Sequence, residues 1–312
     1  MMPLDPATEQ FLAQIPPPEP GPIDFAKQRQ RGEAMISMMV GPGGLDEVAG
    51  VEESEIDGPI GPVPIRIYRP LEQAKGVLHY IHGGGWHAGS LRTIDHTARR
   101  ICRTLGMVVV TSSYRLAPEH PFPAAFEDSL AAAEWFLAEA PKFAAGPLVI
   151  SGDSAGGNLA AAICLTLRDR MVRGDKSYDA QLLLYPAVDL RAIAAQYPSR
   201  RRDAHPGFRG EDLDALIDAY CDKEDRANPH VSPLAAADLS ALPPALIVVL
   251  SIDPLRDEAV VYAERLKDSG VSVGLIEFDH LSHGFVDLAG LIPAAGEATA
   301  AVLGRLRTMI GI

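Results

Sequence analysis

Cysteine and basic residues are scarce in this chain, and long apolar runs are missing. It has 3 cysteines in 312 residues, and 28 Lys and Arg against 41 Asp and Glu give it a net charge of −13. Cys102, Cys164 and Cys221 are too few and too widely spaced to form a disulfide framework or a CxxC metal pair. An acidic surface repels phosphate backbones, so the charge argues against nucleic acid as a partner.

The first residues, MMPLDPATE, lack a basic stretch followed by an apolar one, so they do not predict a secretory signal. No apolar run approaches the roughly 18 residues that a membrane-spanning helix needs. Because the cysteines also fit a reducing compartment, we expect a cytoplasmic protein that does not insert into membranes.

Hydrophobic residues make up 47% of the chain and charged residues 22%, which fits a globular protein with a substantial core. From about residue 63, apolar strand-like runs alternate with helical stretches. The runs lie at residues 63–68, 77–81, 107–111, 148–151, 182–185, 246–250 and 271–278, and the main helical stretches lie at 124–140, 155–173, 211–221 and 255–269. This alternation predicts an α/β fold with a mostly parallel sheet and helices on both faces.

Two segments do not fit this alternation. Residues 188–235 are too long for a simple crossover between strands, so we predict an insertion over the sheet edge that lines a substrate pocket. Residues 1–50 have a helical pattern that is interrupted by prolines at 16–18, 20 and 22. The predicted core therefore consists of residues 51–187 and 236–312.

The strongest indication of chemistry is the motif GDSAGG at residues 152–157, which follows a predicted strand and precedes a predicted helix. Its small residues permit a sharp strand-to-helix turn that exposes the hydroxyl of Ser154 at the carboxyl edge of the sheet. The alternative interpretation of this motif is a glycine-rich turn in which the serine only caps the helix and has no catalytic role.

A second GxSxG match, GVSVG at residues 270–274, has the opposite order of elements. Gly270 closes a helix, and Ser272 enters a strand between two β-branched valines that resist a positive-φ turn. We therefore predict that Ser272 is a strand residue without a catalytic role.

The motif HGGGW at residues 82–86 directly follows another predicted strand. Glycines allow backbone N–H groups to approach a carbonyl oxygen on which negative charge develops during acyl transfer. We expect an oxyanion hole formed by Gly83, Gly84 and Gly85, with Gly84 and Gly85 as two donors, and by Ala155, the residue after the serine. The alternatives are a plain glycine turn and a phosphate-binding loop. The phosphate-binding loop is the weaker of the two, because no GK[ST] follows and the loop has no GxGxxG.

A serine nucleophile needs a base, and the base needs an orienting carboxylate. Asp253 follows a predicted strand, but the same position suits the N-cap of the next helix, and Asp257 is a second candidate. His283 and His280 both follow the last predicted strand. The spacing alone decides neither choice.

The pairs His280-x-x-His283 and His79-x-x-His82 could also indicate a metal site. Neither pair has nearby carboxylates at helical spacing, and the chain has no HExxH. Acyl transfer through a serine requires no cofactor. We therefore expect neither a metal nor a cofactor.

Five motifs together resemble the hormone-sensitive-lipase-type esterases, a microbial carboxylesterase group of the α/β-hydrolase superfamily. The resemblance extends from about residue 63 to the end and implies that Ser154 is the nucleophile, Asp253 the acid and His283 the base. It also supports the oxyanion donors given above. The motifs are HGGGW at 82–86, YRLAPEHPFPA at 114–124, GDSAGGN at 152–158, DPLRDE at 253–258 and HGF at 283–285.

The resemblance also implies an α/β-hydrolase fold in which residues 1–50 and 188–235 form a helical cap over the active site. The activity it implies is hydrolysis of short- to medium-chain carboxylic esters through an acyl-enzyme, with a small-molecule ester as the partner. An amidase or peptidase with the same triad is the nearest alternative, and a non-catalytic small-molecule receptor on the same fold is a more distant one. The strand at 271–278 offers an edge through which subunits could form a homo-oligomer.

Overall fold

The computed structural model describes residues 4–15, 23–170, 177–201, 208 and 210–312. The predicted proline interruption at 16–22 and residues 171–173 of a predicted helix lie outside the described residues. Within the described part of the chain, no helix is both long and apolar enough to cross a lipid bilayer.

A single mixed sheet of eight strands is the centre of the fold. The strands are β1 (Gly50–Asp57), β2 (Pro62–Arg69), β3 (Val77–Ile81), β4 (Val108–Ser112), β5 (Leu148–Asp153), β6 (Ala180–Leu184), β7 (Ala245–Leu250) and β8 (Val273–Phe278). Their spatial order is β1-β2-β4-β3-β5-β6-β7-β8. β1 and β2 are antiparallel, as are β2 and β4, and every other neighbouring pair is parallel.

Helices cover both faces of this sheet. They are α1 (Pro6–Leu12), α2 (Phe25–Met39), α3 (Asp95–Leu105), α4 (Ala124–Phe143), α5 (Ala155–Arg170), α6 (Pro198–Arg201), α7 (Gly210–Tyr220), α8 (Arg256–Asp268) and α9 (Pro293–Ile310). Apolar side chains of α4, α5 and α8 form the core on one face, and those of α3, α9 and α1 form the core on the other. The predicted mostly parallel sheet with helices on both faces is confirmed.

The interior strands were predictable because their sequences are continuous apolar runs. β3, β4, β5, β6 and β7 are buried at every residue, as expected for parallel strands covered on both sides. β8 closes one edge of the sheet and is only partly buried. The left-handed helix end predicted at Gly270 has a φ of 82°.

Strand β1 corrects the sequence interpretation, which predicted no strand before residue 63. Its sequence, GVEESEID, is acidic and mostly exposed, so it lacks the apolar alternation of a half-buried strand. All eight of its residues pair with β2 at the sheet edge, and this backbone pairing holds it in place. Helices α3 and α9 were likewise not predicted.

The long segment between β6 and β7, residues 188–235, contains short 3₁₀ turns together with α6 and α7. A buried ion pair fixes it to the core. Nη2 of Arg200 lies 2.6 Å from Oε2 of Glu258 on α8, with the two side chains 4% and 0% exposed. This segment is therefore attached to the helix that begins shortly after β7.

Candidate active site

The GDSAGG motif forms a tight turn between a strand and a helix. β5 ends at Asp153, and α5 begins at Ala155. Ser154, between them, has a φ of 53°, in the left-handed region that residues other than glycine rarely adopt. A Cβ on Gly152 would lie 2.4 Å from the backbone of Gly156, so only residues without a side chain permit this approach.

Ser154, His283 and Asp253 form a continuous chain of hydrogen bonds. Nε2 of His283 lies 2.9 Å from Oγ of Ser154, and Nδ1 of His283 lies 2.6 Å from Oδ2 of Asp253. The Asp253 side chain is 1% exposed and the His283 side chain 17%. With the carboxylate bound at Nδ1, the proton of a neutral ring lies on Nδ1, which leaves Nε2 to accept the serine hydrogen.

The sheet topology explains how three distant parts of the chain meet. The three side chains follow the carboxyl ends of β5, β7 and β8, and these strands are parallel members of one sheet. Their carboxyl ends therefore lie at the same edge, where open α/β sheets bind ligands.

Asp253 combines the two roles that the sequence left as alternatives. Its Oδ2 contacts His283, while its Oδ1 accepts the N–H of Leu255 at 2.9 Å, in the turn just before α8. A carboxylate that holds its own turn in this way has little freedom to rotate away from the imidazole.

The other sequence candidates lie elsewhere. Asp257 accepts the N–H of Ser199 at 2.9 Å and a hydrogen bond from Arg256 at 2.8 Å. His280 is exposed at the end of β8. Ser272 is also exposed and lies one residue before β8, at the sheet edge opposite to Ser154.

In the HGGGW loop, the structure corrects the predicted role of Gly83 in the oxyanion hole. The N–H of Gly83 donates to Oδ1 of Asp153 at 2.9 Å, so it is not free to bind a substrate oxygen. The N–H groups of Gly84, Gly85 and Ala155 have no acceptor within the part of the chain that the structure describes. The candidate donors are therefore these three, without Gly83.

The beginning of this loop is held from the core side. The hydroxyl of Tyr114 donates to the carbonyl of His82 at 3.0 Å, and the two rings stack at 4.3 Å. Gly84 has a φ of 106°, and a Cβ there would lie 2.3 Å from the carbonyl oxygen of Ala88. Glycine at this position is therefore required both by the backbone conformation and by the space available.

Asp153 is a buried acid at the site that the sequence interpretation did not single out. The hydroxyl of Tyr80 and the N–H of Gly83 both donate to its Oδ1, at 2.8 and 2.9 Å. Burial, followed by the nearby charge of Asp287, raises the pKa of Asp153 to about 7. Its place next to Ser154 was visible in the sequence, but the acceptor role depends on contacts with β3 and the HGGGW loop.

Two aromatic rings flank the imidazole of His283. The ring of Tyr185 lies 4.7 Å from it, and the ring of Phe208 stacks on it at 4.4 Å. Phe208 belongs to the segment between β6 and β7. This segment therefore contacts the Ser154–His283–Asp253 group directly.

The histidine pairs considered as metal ligands are used in other ways. Nδ1 and Nε2 of His79 bond to Tyr178 and Ser112 at 3.2 and 2.9 Å, and burial lowers the pKa of His79 to about 3. Burial also lowers the pKa of His82 to about 4. Across the described residues, no group of three or more His, Cys, Asp or Glu side chains could hold a metal ion.

Comparison with known proteins identifies esterases as relatives. A family model described as alpha/beta hydrolase fold matches residues 78–287. The chain is 39% identical over 293 residues to the carboxylic ester hydrolase LipN of Mycobacterium tuberculosis, covering 91% of this chain and 76% of that relative. It is 35% identical over 284 residues to an arylesterase of Saccharolobus solfataricus, covering 86% and 88%. The structure of a hyperthermophilic esterase from the archaeon Pyrobaculum calidifontis matches with a TM-score of 0.87 and 35% identity over 99% of both chains.

Proposed function

The chain belongs to the alpha/beta hydrolase family and is a carboxylic ester hydrolase, and from this premise we propose that Ser154, His283 and Asp253 are its catalytic triad. The observation that carries the proposal is the unbroken hydrogen-bond chain from Oγ of Ser154 through both ring nitrogens of His283 to Asp253. Each atom has the partner that its role requires.

The proposed reaction has two acyl-transfer steps. Nε2 of His283 takes the hydroxyl proton as Oγ of Ser154 attacks the ester carbonyl carbon, and it then gives this proton to the leaving alkoxide. Water, deprotonated by the same nitrogen, then attacks the acyl carbon. As the bond between this carbon and Oγ breaks, the nitrogen returns the proton to Oγ of Ser154 and the carboxylic acid leaves. Asp253 holds the ring in the required tautomer and stabilises the imidazolium that forms. No cofactor takes part.

We assign the oxyanion hole to the N–H groups of Gly84, Gly85 and Ala155. Negative charge develops on the carbonyl oxygen in both steps, and pre-oriented N–H groups stabilise it without having to reorganise. Ala155 is also the first residue of α5, whose N-terminus adds a positive partial charge beside the same oxygen.

The proposed substrates are short- to medium-chain esters, and the proposed cap consists of residues 1–50 and 188–235. Stacking of Phe208 on His283 supports a covering role for the second segment. In this division, residues 51–187 and 236–312 form the catalytic core.

A series of p-nitrophenyl esters with acyl chains of two to about sixteen carbons tests the proposal, with Ser154→Ala as the decisive variant. Because the triad acts as a unit, this variant should lose about 10⁴-fold or more in kcat. Ser272→Ala, in the other GxSxG match, is the matched control and should retain wild-type activity. Near-normal turnover by Ser154→Ala would move the nucleophile elsewhere.

The same assay separates ester hydrolysis from amide hydrolysis. Each ester is compared with the matching p-nitroanilide, and the ester is expected to be cleaved with the higher kcat/KM. Activity should disappear after treatment with a serine-reactive phosphonate. A preference for the anilide would favour the amidase alternative, and tight binding without turnover would favour a receptor.

A further inference from the structure

One face of helix α2, near the N-terminus, contacts the end of the HGGGW loop and the residues that follow it, 87–90. Phe25, Gln28, Arg29 and Glu33 are spaced at i, i+3, i+4 and i+8, which places them on the same side of a helix. The first three side chains contact His87, and Glu33 accepts a hydrogen bond from the hydroxyl of Ser90 at 2.8 Å. This loop is therefore contacted by α2, which lies outside the predicted catalytic core, as well as by the core itself.

His87 is the main contact point for this face. Oε1 of Gln28 lies 2.8 Å from its Nε2, and the ring of Phe25 lies 5.1 Å from its ring in an edge-on arrangement. Nδ1 of His87 is 3.2 Å from the carbonyl oxygen of Gly85. The imidazole thus connects α2 to a glycine whose N–H is a proposed oxyanion donor.

Arg29 makes the most extensive contact. Its Nε donates to the carbonyl of His87 at 2.5 Å, and its Nη2 donates to the carbonyl of Ala117 at 2.7 Å. The N–H of Ala117 donates in turn to the carbonyl of Trp86 at 2.9 Å. One guanidinium therefore joins the carbonyl of His87 to the carbonyl of Ala117, and Ala117 itself bonds to the loop at Trp86.

Glu119 fixes the direction of this guanidinium. Nη1 and Nη2 of Arg29 donate to its two carboxylate oxygens at 2.9 and 2.6 Å, a bidentate arrangement that only arginine can make. The hydrogen bond from Arg29 lowers the pKa of Glu119 to about 2, so the carboxylate stays charged under ordinary assay conditions. The remaining N–H directions then point at the two backbone carbonyls.

The loop requires such external support because its backbone is unusual throughout and is strained at Trp86. Gly84, Gly85, Trp86 and Gly89 all have positive φ values, of 106°, 59°, 60° and 99°. A non-glycine residue such as Trp86 persists in this region only when its surroundings impose the conformation. Tyr114 and Asp153 hold the beginning of the loop. Its end is held by α2 through Arg29 and by Tyr220 of α7, whose ring stacks on that of Trp86 at 4.3 Å.

We infer that Arg29, held by Glu119, is a positioning residue that fixes the loop so that Gly84 and Gly85 direct their N–H groups at the substrate oxyanion. The inference rests on the proposed oxyanion role of these two glycines. Arg29 itself does not contact the reacting atoms. It contributes to transition-state stabilisation by keeping the donors in place before the substrate binds.

Replacing Arg29 by Gln tests this inference in the full-length protein. We expect kcat for a p-nitrophenyl ester to fall about 10- to 100-fold, since small displacements of aligned groups have effects of this size, while KM changes less than about threefold. Arg29→Lys keeps the charge but not the fork, so its kcat should lie between those of the wild type and Arg29→Gln.

A trifluoromethyl ketone supplies a readout that a merely structural role would not change. The serine adds to the carbonyl of this ketone and forms a tetrahedral oxyanion. In Arg29→Gln, the dissociation constant of the ketone should therefore rise by the same factor as kcat/KM falls. The fluorine-free ketone, which stays trigonal, should bind equally well to both proteins. If the wild type does not prefer the fluorinated ketone, the proposed oxyanion hole fails. If the wild type prefers it and Arg29→Gln binds it equally tightly, only the role of Arg29 fails.

Arg170→Gln is the matched control. Arg170 forms a similar arginine–glutamate pair, with Glu134 at 3.0 Å, at the far end of α5. Its kcat should equal that of the wild type, and an equal loss in both variants would overturn the inference. If Arg29→Gln does not fold, Glu119→Gln decides, with a lower kcat at unchanged KM supporting the inference and a wild-type kcat overturning it.

Discussion

Oδ1 of Asp153 accepts the N–H of Gly83 at 2.9 Å, which bonds the residue before the proposed nucleophile to the loop of the proposed oxyanion donors. The same oxygen accepts the hydroxyl of Tyr80 on β3. The strand-to-helix turn and the glycine loop are thus held in one buried polar network. Moving the turn away from the loop would break the hydrogen bond between Asp153 and Gly83.

The raised pKa of Asp153, about 7 because of burial and the charge of Asp287, predicts a pH-dependent stability. Between about pH 4 and about pH 7 the folded protein keeps a proton that the unfolded chain releases, so the free energy of unfolding contributed by Asp153 falls as the pH rises. Asp153→Asn cannot ionise and should gain stability relative to the wild type over this range. Urea unfolding at about pH 5 and about pH 7.5 measures the difference, and a constant difference would contradict the prediction.

Asp253→Asn should reduce kcat by about 10³- to 10⁴-fold with little change in KM, because an amide no longer holds His283 in the required tautomer. Asp257→Asn is the matched control, since Asp257 contacts Ser199 and Arg256 instead of His283. Its kcat should stay within a few-fold of the wild type. Steady-state kinetics on a p-nitrophenyl ester distinguish the two, and the reverse order would make Asp257 the acid.

His283→Ala should lose about 10⁴-fold or more in kcat, because Ser154 then has no base. His280→Ala removes an exposed imidazole three residues away and should leave kcat within about twofold of the wild type. Single-turnover release of p-nitrophenol provides the measurement, since it reports acylation directly. A large loss of kcat in His280→Ala, together with an active His283→Ala, would make His280 the base instead of His283.

Arg200→Met should lower the free energy of unfolding by about 3–5 kcal/mol, because Glu258 is left as a buried charge without its partner. The double variant with Glu258→Gln should recover part of this loss. Urea unfolding of the wild type, the single variant and the double variant tests the prediction. A loss below about 1 kcal/mol in the single variant would show that water reaches Glu258 and that the pair is not isolated.

The interior of the fold could be predicted from the sequence because burial on both faces requires continuous apolar runs, as in β3 and β7. β1 could not, since its stability comes from backbone pairing with β2 and leaves no apolar pattern. The same limit applies to residues 188–235, whose attachment depends on contacts with distant parts of the chain, such as the ion pair between Arg200 and Glu258 and the hydrogen bond from Ser199 to Asp257.

At the site, chemical motifs indicated the residue types, and the contacts depended on the fold. Asp253 and Asp257 are one helical turn apart and follow the same strand, so their spacing could not tell which one faces His283. The HGGGW pattern likewise could not show that Gly83 uses its N–H internally, because the acceptor belongs to Asp153 on a strand about seventy residues away. The support of this loop by Arg29 joins residues 58 positions apart and has no local signal.

At Ser154, the left-handed backbone makes the side chain that activity requires unfavourable for thermostability. An L side chain in this conformation costs about 1–2 kcal/mol, which a glycine avoids. Ser154→Gly should therefore be inactive yet more stable than Ser154→Ala, which keeps the Cβ and the strain. Selection of this enzyme for heat resistance alone would reward loss of the nucleophile, so any such screen must score turnover at the same time.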